Sequence, residues 1–128
     1  YADLAERYAT DTPVETGEVV SLGGKEEITK CMDDKSDAVF GVVSDHPAYL
    51  MNSEAGNNDT HPAIALKGRV PVKVTGKGSA GDRIVSGSYG TARVAQAGEA
   101  TTFNTLGRLI KDKYNEETAL TECVIGVK

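Results

Sequence analysis

Residues 17–31 read Gly-Glu-Val-Val-Ser-Leu-Gly-Gly-Lys-Glu-Glu-Ile-Thr-Lys-Cys, and this stretch predicts a β-hairpin. The segments Glu18–Leu22 and Glu27–Cys31 carry β-branched residues, which favour strands. Gly23 and Gly24 separate the two segments, and glycine adopts the positive φ angles of a tight turn without a steric penalty. The hairpin therefore indicates an all-β chain.

Strand patterns continue after this hairpin, at 39–43, 63–66, 69–74, 83–85, 102–110 and 122–127. Lys67 and Gly68 separate two of these strands, and residues 87–90 form a second hairpin turn. Pro71 predicts an edge strand because proline has no amide to donate. The predicted core consists of the apolar positions of these strands: Val20, Leu22, Ile28, Phe40, Val42, Ile64, Leu66, Val72, Ile84, Leu106, Leu109 and Val124.

The second half of the sequence repeats features of the first. Gly17-Glu18-Val19-Val20 is matched later in the chain by Gly81-Asp82-Arg83-Ile84. In the same way, Phe40-Gly41-Val42-Val43 is matched by Leu106-Gly107-Arg108-Leu109. Because the two offsets, from 17 to 81 and from 40 to 106, nearly agree, we interpret the pattern as a duplicated hairpin unit. The sequence predicts a small sandwich or barrel-like roll, with similar halves at about 13–66 and 67–128.

The first twelve residues predict a short helix, outside the β-rich domain of residues 13–128. Tyr1, Leu4, Ala5 and Tyr8 have the spacing of one helical face. Pro13 would end this helix, because proline removes a donor and restricts the residue before it. A helix of this length is marginal in water by itself, so we expect it to pack against something else.

Composition excludes several classes of protein. The chain has 128 residues and a formal net charge of −5 without a basic run, which argues against nucleic-acid binding. No apolar run is long enough to span a membrane. Cys31 and Cys123 are too few and too far apart for a zinc site, so we expect ordinary buried thiols. His46 and His61 each precede proline and indicate turns, so no metal or cofactor is predicted.

Asp3 and Glu6 are the candidate catalytic residues. On a helix, residues three apart share a face, and two close carboxylates can divide acid and base roles because their repulsion separates their pKa values. The alternative is that both simply match the dipole of a helical first turn, with Asp3 paired to Arg7.

The order of several motifs is similar to that in phage virion proteins, namely the C-terminal domains of tail-fibre and neck-appendage proteins, which include autoproteolytic intramolecular-chaperone domains. The run 47–52 also resembles structural proteins of marine phages. The motifs that carry the resemblance are Ala2–Glu6, Gly17–Val20, Phe40–Pro47, Gly68–Val74 and Gly81–Val85.

This resemblance implies a homotrimeric folding module that the helix links to an upstream fibre. It implies a location in the virion after assembly in the host cytoplasm, with other virion proteins and a host-surface receptor as partners. Three copies of the helix would pack their apolar faces around one axis. Nucleic acid and membranes are not expected as partners.

In self-cleaving members of this group, the chain is cut at a Ser–Asp bond, and a Glu three residues further on belongs to the site. Asp3 and Glu6 match these positions, whereas Ala2 stands where the serine would be. A non-cleaved structural domain is therefore expected, and a self-cleaving chaperone is the first alternative. The second is a receptor- or glycan-binding tip that uses the polar loop 52–61 near Tyr49.

Overall fold

The computed structural model describes residues 2–128, and every regular element among them is a β-strand. The all-β prediction is confirmed. The strands are β1 (Asp3–Arg7), β2 (Val19–Leu22), β3 (Ile28–Lys30), β4 (Val39–Val43), β5 (Tyr49–Met51), β6 (Ala63–Thr75), β7 (Arg83–Ser86), β8 (Ala92–Val94), β9 (Thr105–Leu109) and β10 (Ala119–Ile125).

The second half of the chain closes a five-stranded barrel. Its strands follow one another in the order β6, β10, β9, β7 and β8, and β8 pairs with β6 to complete the ring. The β6–β8 pair is parallel and the others are antiparallel, so the barrel is mixed. Closure covers the sheet edges of the ring except along β6 before Val74, because β8 pairs with β6 at only two positions, Val74 and Thr75.

The strands of the first half form a similar ring on the other end of β6. β1 pairs with β6, β6 with β4, β4 with β2 and β2 with β3. A single parallel bridge between Thr10 and Ile28 connects β3 back to the chain that follows β1. β5 lies outside this ring, parallel to β1.

The two rings have the same pairing register. In each ring the first strand of a hairpin, β2 or β7, also pairs with a later strand, β4 or β9. In both cases the register of this second pairing shifts by one residue after the second residue of the hairpin strand, which is Val20 or Ile84. Three residue pairs of the first ring have counterparts in the second: Val20–Lys30 corresponds to Ile84–Val94, Val20–Gly41 to Ile84–Gly107, and Thr10–Ile28 to Val74–Ala92. The offsets between matching positions are those that relate the repeated sequence motifs.

The predicted N-terminal helix is wrong, because Asp3–Arg7 is strand β1. It is bonded to β5 on one side and to β6 on the other. Ala5 is fully buried and Tyr8, partly buried, packs against the core of the first ring, while Leu4 is 38% exposed. Most of the apolar face predicted for a trimer axis is thus used within the chain. Tyr1, the first residue of that predicted face, lies outside the described residues.

Other strand predictions are confirmed with local corrections. Both predicted hairpins form, but β6 continues through Lys67 and Gly68, where a break was expected. Strands β5 and β8, of three residues each, were not predicted. Pro71 pairs with β10 on one side of β6 and, among residues 2–128, with no strand on the other side. That unpaired side of β6 is locally an edge.

The core divides into two clusters, one inside each ring. The larger belongs to the closed barrel and also holds residues of the first half that face it; the smaller lies inside the first ring. Most of the predicted core residues are buried, but Leu22 is 57% exposed, which contradicts its assignment. The buried members common to prediction and structure are Val20, Ile28, Val42, Ile64, Val72, Ile84, Leu106 and Leu109.

Candidate functional site

The acidic pair lies on a strand, and the shared helical face predicted for it is wrong. Asp3 is 3% exposed, and its Oδ1 accepts a hydrogen bond from the Ala48 amide at 3.3 Å. Glu6 is half-buried, and its Oε1 accepts from the Tyr8 hydroxyl at 2.9 Å. Since successive side chains of a strand point to opposite faces, residues three apart project from opposite sides. The structure therefore does not bring the two carboxylates together on one face.

Asp3 also lacks the predicted pairing with Arg7. The Arg7 guanidinium donates from Nη1 to Asn58 Oδ1 at 2.9 Å and to the His61 carbonyl oxygen at 2.7 Å. Asp3 Oδ2 is buried without a hydrogen-bond partner among residues 2–128. A buried carboxylate oxygen without a partner carries a desolvation cost, which makes Asp3 the most unusual acidic residue of this strand.

The Ala2–Asp3 peptide bond is packed against the bend of β6. The Ala2 carbonyl oxygen accepts a hydrogen bond from the Arg69 amide at 2.9 Å. Gly68 has a φ of 115°, and a Cβ at that position would collide with the Ala2 carbonyl oxygen. Backbone contacts thus hold the peptide bond that resembles a cleavage site. Ala2, the residue before that bond, has no side-chain hydroxyl that could act as a nucleophile.

Tyr8 connects Glu6 to the core of the first ring. Its ring meets Phe40 edge-on with 5.2 Å between centroids. Burial, followed by the hydrogen bond and the charge of Glu6, raises the pKa of Tyr8 to about 12. At neutral pH Tyr8 stays protonated and donates to Glu6, so Glu6 is engaged in a structural contact.

The polar loop 52–61 is exposed along most of its length and bonded within itself. Asn57 Oδ1 accepts from the amides of Asp59 and Thr60 at 2.9 and 3.0 Å. The two clefts beside the loop, of about 390 and 330 Å³, have no aromatic side chain in their linings among residues 2–128. Tyr49 is 65% exposed but lies on β5 and lines neither cleft.

The histidines and cysteines do not form a site. In the described part of the chain no group of three or more His, Cys, Asp or Glu residues could hold a metal ion. His46 lies 3.3 Å from the Asp45 carboxylate, and His61 contacts Thr60 at 3.0 Å. Cys31 and Cys123 are both free and buried, as predicted. Residues 2–128 also contain no helix capable of crossing a membrane.

The strongest polar cluster was not predicted. The Arg93 guanidinium contacts Asp34 Oδ1 at 2.6 Å and Glu99 Oε1 at 2.7 Å, and so connects the two halves. The hydrogen bond from Arg93 is the main cause that holds the pKa of Glu99 at about 2. It also lowers the pKa of Asp34, and these carboxylates raise the pKa of Arg93. Residues so far apart in sequence give no local signal of such a contact.

A second charged group lies where the halves meet. Glu18 is 6% exposed, and its carboxylate lies 3.4 Å from Lys30 Nζ and 3.6 Å from Lys73 Nζ. Lys73 also contacts Glu15 at 2.7 Å, and this hydrogen bond is the main cause of its raised pKa. Glu18 and Lys73 therefore pair across the two halves of the chain.

The class of protein defined by this geometry is an all-β domain built around a five-stranded mixed barrel, with its charged clusters engaged in ion pairs. No protein-family model matches the chain, and the comparison with curated proteins found no match either.

Proposed function

We propose that this chain is a structural domain of a phage virion, the C-terminal trimerisation and folding module of a tail fibre or neck appendage. The order of its sequence motifs supports this proposal, because it resembles that of such domains along nearly the whole chain. In this proposal the domain has no catalytic role and stays attached to the chain that precedes it.

The observation that carries the proposal is the bonding of β1. Leu4–Glu6 pair in parallel with β5, and Asp3–Arg7 pair antiparallel with β6. A pull on the chain at residue 2 would load both ladders along the strand, so their hydrogen bonds would have to break together. Each backbone hydrogen bond contributes about 1 kcal/mol net. This attachment suits a module that anchors a fibre.

The proposal includes a duplicated unit as the finer description of the fold. The equal registers of the two rings support it, together with the shared offset that relates Gly17 to Gly81. The matching pairs include Thr10, in the chain that follows β1, so in this proposal the first unit also takes in residues before 13. Two units that share β6 bury two adjacent cores, and the larger buried surface raises the stability of a small domain.

The trimer is tested by sedimentation equilibrium of the isolated domain at micromolar concentration. The expected result is a species of three times 13.5 kDa. A stable monomer at these concentrations would remove trimerisation from the proposal. Ala5 is fully buried and Tyr8 is partly buried within one chain, whereas Leu4 of the predicted helical face is 38% exposed. The contacts between copies must therefore lie largely on other surfaces than the predicted helical face.

The self-cleaving chaperone remains a second candidate, favoured by the buried and unpartnered Oδ2 of Asp3 beside the Ala2–Asp3 bond. It is tested by the mass of the longer parent chain. We expect an intact chain, and an intact chain also for Ala2→Ser, since Asp3 and Glu6 project from opposite faces. A fragment that begins at Asp3, and that disappears in Ala2→Ser/Glu6→Gln, would favour the enzyme instead.

A further inference from the structure

We propose that one end of the barrel binds a neutral sugar, with the Tyr114 ring against one face of the sugar. The site is formed by two neighbouring loops, 76–80 after β6 and 111–118 before β10, which we name the distal loops. Such a site goes beyond the structural role proposed above, because it adds a ligand of stated chemistry. It does not depend on how many copies of the chain associate.

Tyr114 differs from the other exposed aromatic residues because it lines a cleft. Its side chain is 82% exposed, more than that of any other large apolar residue in the range 2–128. It lies at a cleft of about 290 Å³ between the distal loops. Tyr49, Tyr89 and Phe103 are also exposed, but they line neither this cleft nor the three larger ones of residues 2–128. Single exposed rings are ordinary surface, whereas a ring beside a cleft can contact a ligand held there.

The rest of this cleft offers both donors and acceptors of hydrogen bonds. Lys77 and Ser79 line it from the first distal loop, and Asp112 lines it from the second. The Lys77 ammonium and the Ser79 hydroxyl have no partner among residues 2–128. Asp112 Oδ1 accepts from the Ala80 amide at 2.8 Å, while Oδ2 lies 3.5 Å from the Tyr114 hydroxyl. Because 3.5 Å is at the limit of a hydrogen bond, Asp112 Oδ2 keeps its capacity to accept one from a ligand.

The charges of the cleft indicate a neutral ligand. Lys77 and Asp112 contribute one positive and one negative charge, so the pair gives no net attraction for an anion or for a cation. A sugar has adjacent hydroxyls that can donate to the carboxylate and accept from the ammonium. The C–H groups on one face of its ring match an aromatic side chain, which combines an apolar surface with a polar end. A small cleft with one ring and a few polar groups is typical of a site that takes a single small ligand.

Lys113 holds the loop that carries Tyr114. The Lys113 side chain is buried, and its Nζ donates to the carbonyl oxygen of Asn115 at 2.7 Å and to that of Glu117. A buried ammonium carries a desolvation cost, and here its hydrogen bonds fix the backbone on the far side of an exposed ring. A binding loop that is ordered before the ligand arrives loses less conformational entropy on binding. Lys113 is therefore a positioning residue of the proposed site.

Gly78 joins the two distal loops and places them on the barrel core. Its amide donates to the Lys113 carbonyl oxygen at 3.1 Å, and its carbonyl oxygen accepts from the Lys113 amide at 2.7 Å. A Cβ at position 78 would lie 2.8 Å from Leu109 Cδ1 and 3.0 Å from Val94 Cγ1. The backbone at Gly78 thus packs directly on side chains of the barrel, so the cleft has a fixed floor.

The position of the distal loops suits a binding site on an anchored domain. β1 pairs with residues 63–68 in the first half of β6, whereas β10 begins beside Val74 near the end of β6. The distal loops follow Thr75 and precede Ala119, so they lie at the end of β6 away from β1. A domain that is anchored through β1, as in the proposed function, would leave this end accessible to a ligand.

The first experiment is an NMR titration of the chain, labelled on its tyrosine rings, with the methyl glycosides of glucose, galactose, mannose and N-acetylglucosamine. The chain has five tyrosines, so the ring signals can be assigned one by one. We expect saturable shifts of the Tyr114 signals with at least one glycoside and no shift of the Tyr49 signals. The absence of saturable shifts with all four glycosides would overturn the inference. Shifts of Tyr49 alone would place the sugar beside the polar loop 52–61 and would overturn it as well.

The second experiment repeats the titration with substituted chains. Tyr114→Ala should weaken binding by about 10-fold or more, as expected when a central aromatic contact is removed, and Tyr114→Phe should retain most of the affinity because it keeps the ring. Tyr49→Ala is the matched control, since Tyr49 is also exposed but lines no cleft named here, and it should bind like the wild type. Equal affinities of the wild type and Tyr114→Ala would overturn the inference.

The outcome is separable from that of the proposed function, which is tested by sedimentation. A monomer that binds a glycoside through Tyr114 would remove the trimer and support this site. A trimer that binds none of the four glycosides would support the trimer and overturn this site. Both tyrosines are exposed, so each alanine variant should keep the wild-type urea midpoint, and this measurement distinguishes a lost contact from a lost fold.

Discussion

Replacing Gly107 by alanine tests the closest approach between two strands of the barrel. Gly107 lies on β9 opposite Ile125 of β10. A Cβ at position 107 would collide with the Val124 carbonyl oxygen and would lie 2.7 Å from the Ile125 Cα. Ordinary Cβ contacts lie between 3.4 and 4 Å. Both opposing atoms belong to backbone, so the strands themselves would have to separate by roughly 1 Å.

The expected loss of stability follows from the bonds that this separation weakens. Three residue pairs hold β9 to β10, at Leu109, Arg108 and Gly107. Weakening two or three backbone hydrogen bonds costs about 1 kcal/mol each, and alanine recovers about 0.5–1 kcal/mol by restricting the unfolded chain. We expect Gly107→Ala to lower the free energy of unfolding by about 2 kcal/mol.

The assay is equilibrium urea unfolding, followed by circular dichroism. Gly41→Ala is the matched variant in the first ring, because a Cβ there would lie 2.5 Å from the Ala65 carbonyl oxygen, and it should lose a similar amount. Gly98→Ala is the control: its φ is +81° but nothing lies within 4 Å, so only the cost of a left-handed backbone, about 1 kcal/mol, applies. A smaller loss for Gly107→Ala than for Gly98→Ala would refute the reasoning.

Three further predictions concern charge, thiols and the polar loop. The pKa of Glu99 is about 2 in the folded chain instead of 4.5. Its bond to Arg93 therefore stabilises the fold fully above about pH 4.5, and this stabilisation is lost as the pH falls towards 2. Glu99→Gln should reduce the dependence of the unfolding free energy on pH in that range, and an unchanged pH dependence would contradict this. Burial raises the pKa of Cys123 to about 12. Cys31 is also buried, so neither side chain should be accessible to a thiol reagent until the chain is denatured; rapid labelling of the native protein would argue against the buried positions. Deletion of Glu54–Asn58 removes only exposed residues, and the circular dichroism spectrum should be retained, whereas loss of cooperative unfolding would mean that the loop clamps the fold.

Local signals were sufficient for the hairpins. Alternating β-branched residues on both sides of a glycine turn placed β2 and β3 within one residue of their bounds, and the apolar run at 39–43 coincides with β4. These signals are reliable because a hairpin pairs residues that are close in sequence. The repeated Gly-acid and Gly-x-aliphatic motifs also occur at matching register positions in the two rings.

The candidate site was predicted less well than the strands. The helical spacing of Leu4, Ala5 and Tyr8 suggested that Asp3 and Glu6 share a face. So short a segment can satisfy either a helical or an alternating pattern, and a lone helix of this length is marginal. The partners of β1 are β5 and β6, which lie far along the chain, and their hydrogen bonds decide the conformation.

The sequence by itself determined the all-β class, the hairpins, the two matching sets of motifs and the burial of most strand positions, because these depend on side-chain shape and on neighbours a few residues apart. Only the tertiary structure decided that the first segment is a strand, that β6 runs unbroken through both rings and that Arg93 joins Asp34 to Glu99. The physical reason is that strand pairing and ion pairs connect residues distant in the chain, and their geometry exists only once the barrel has closed.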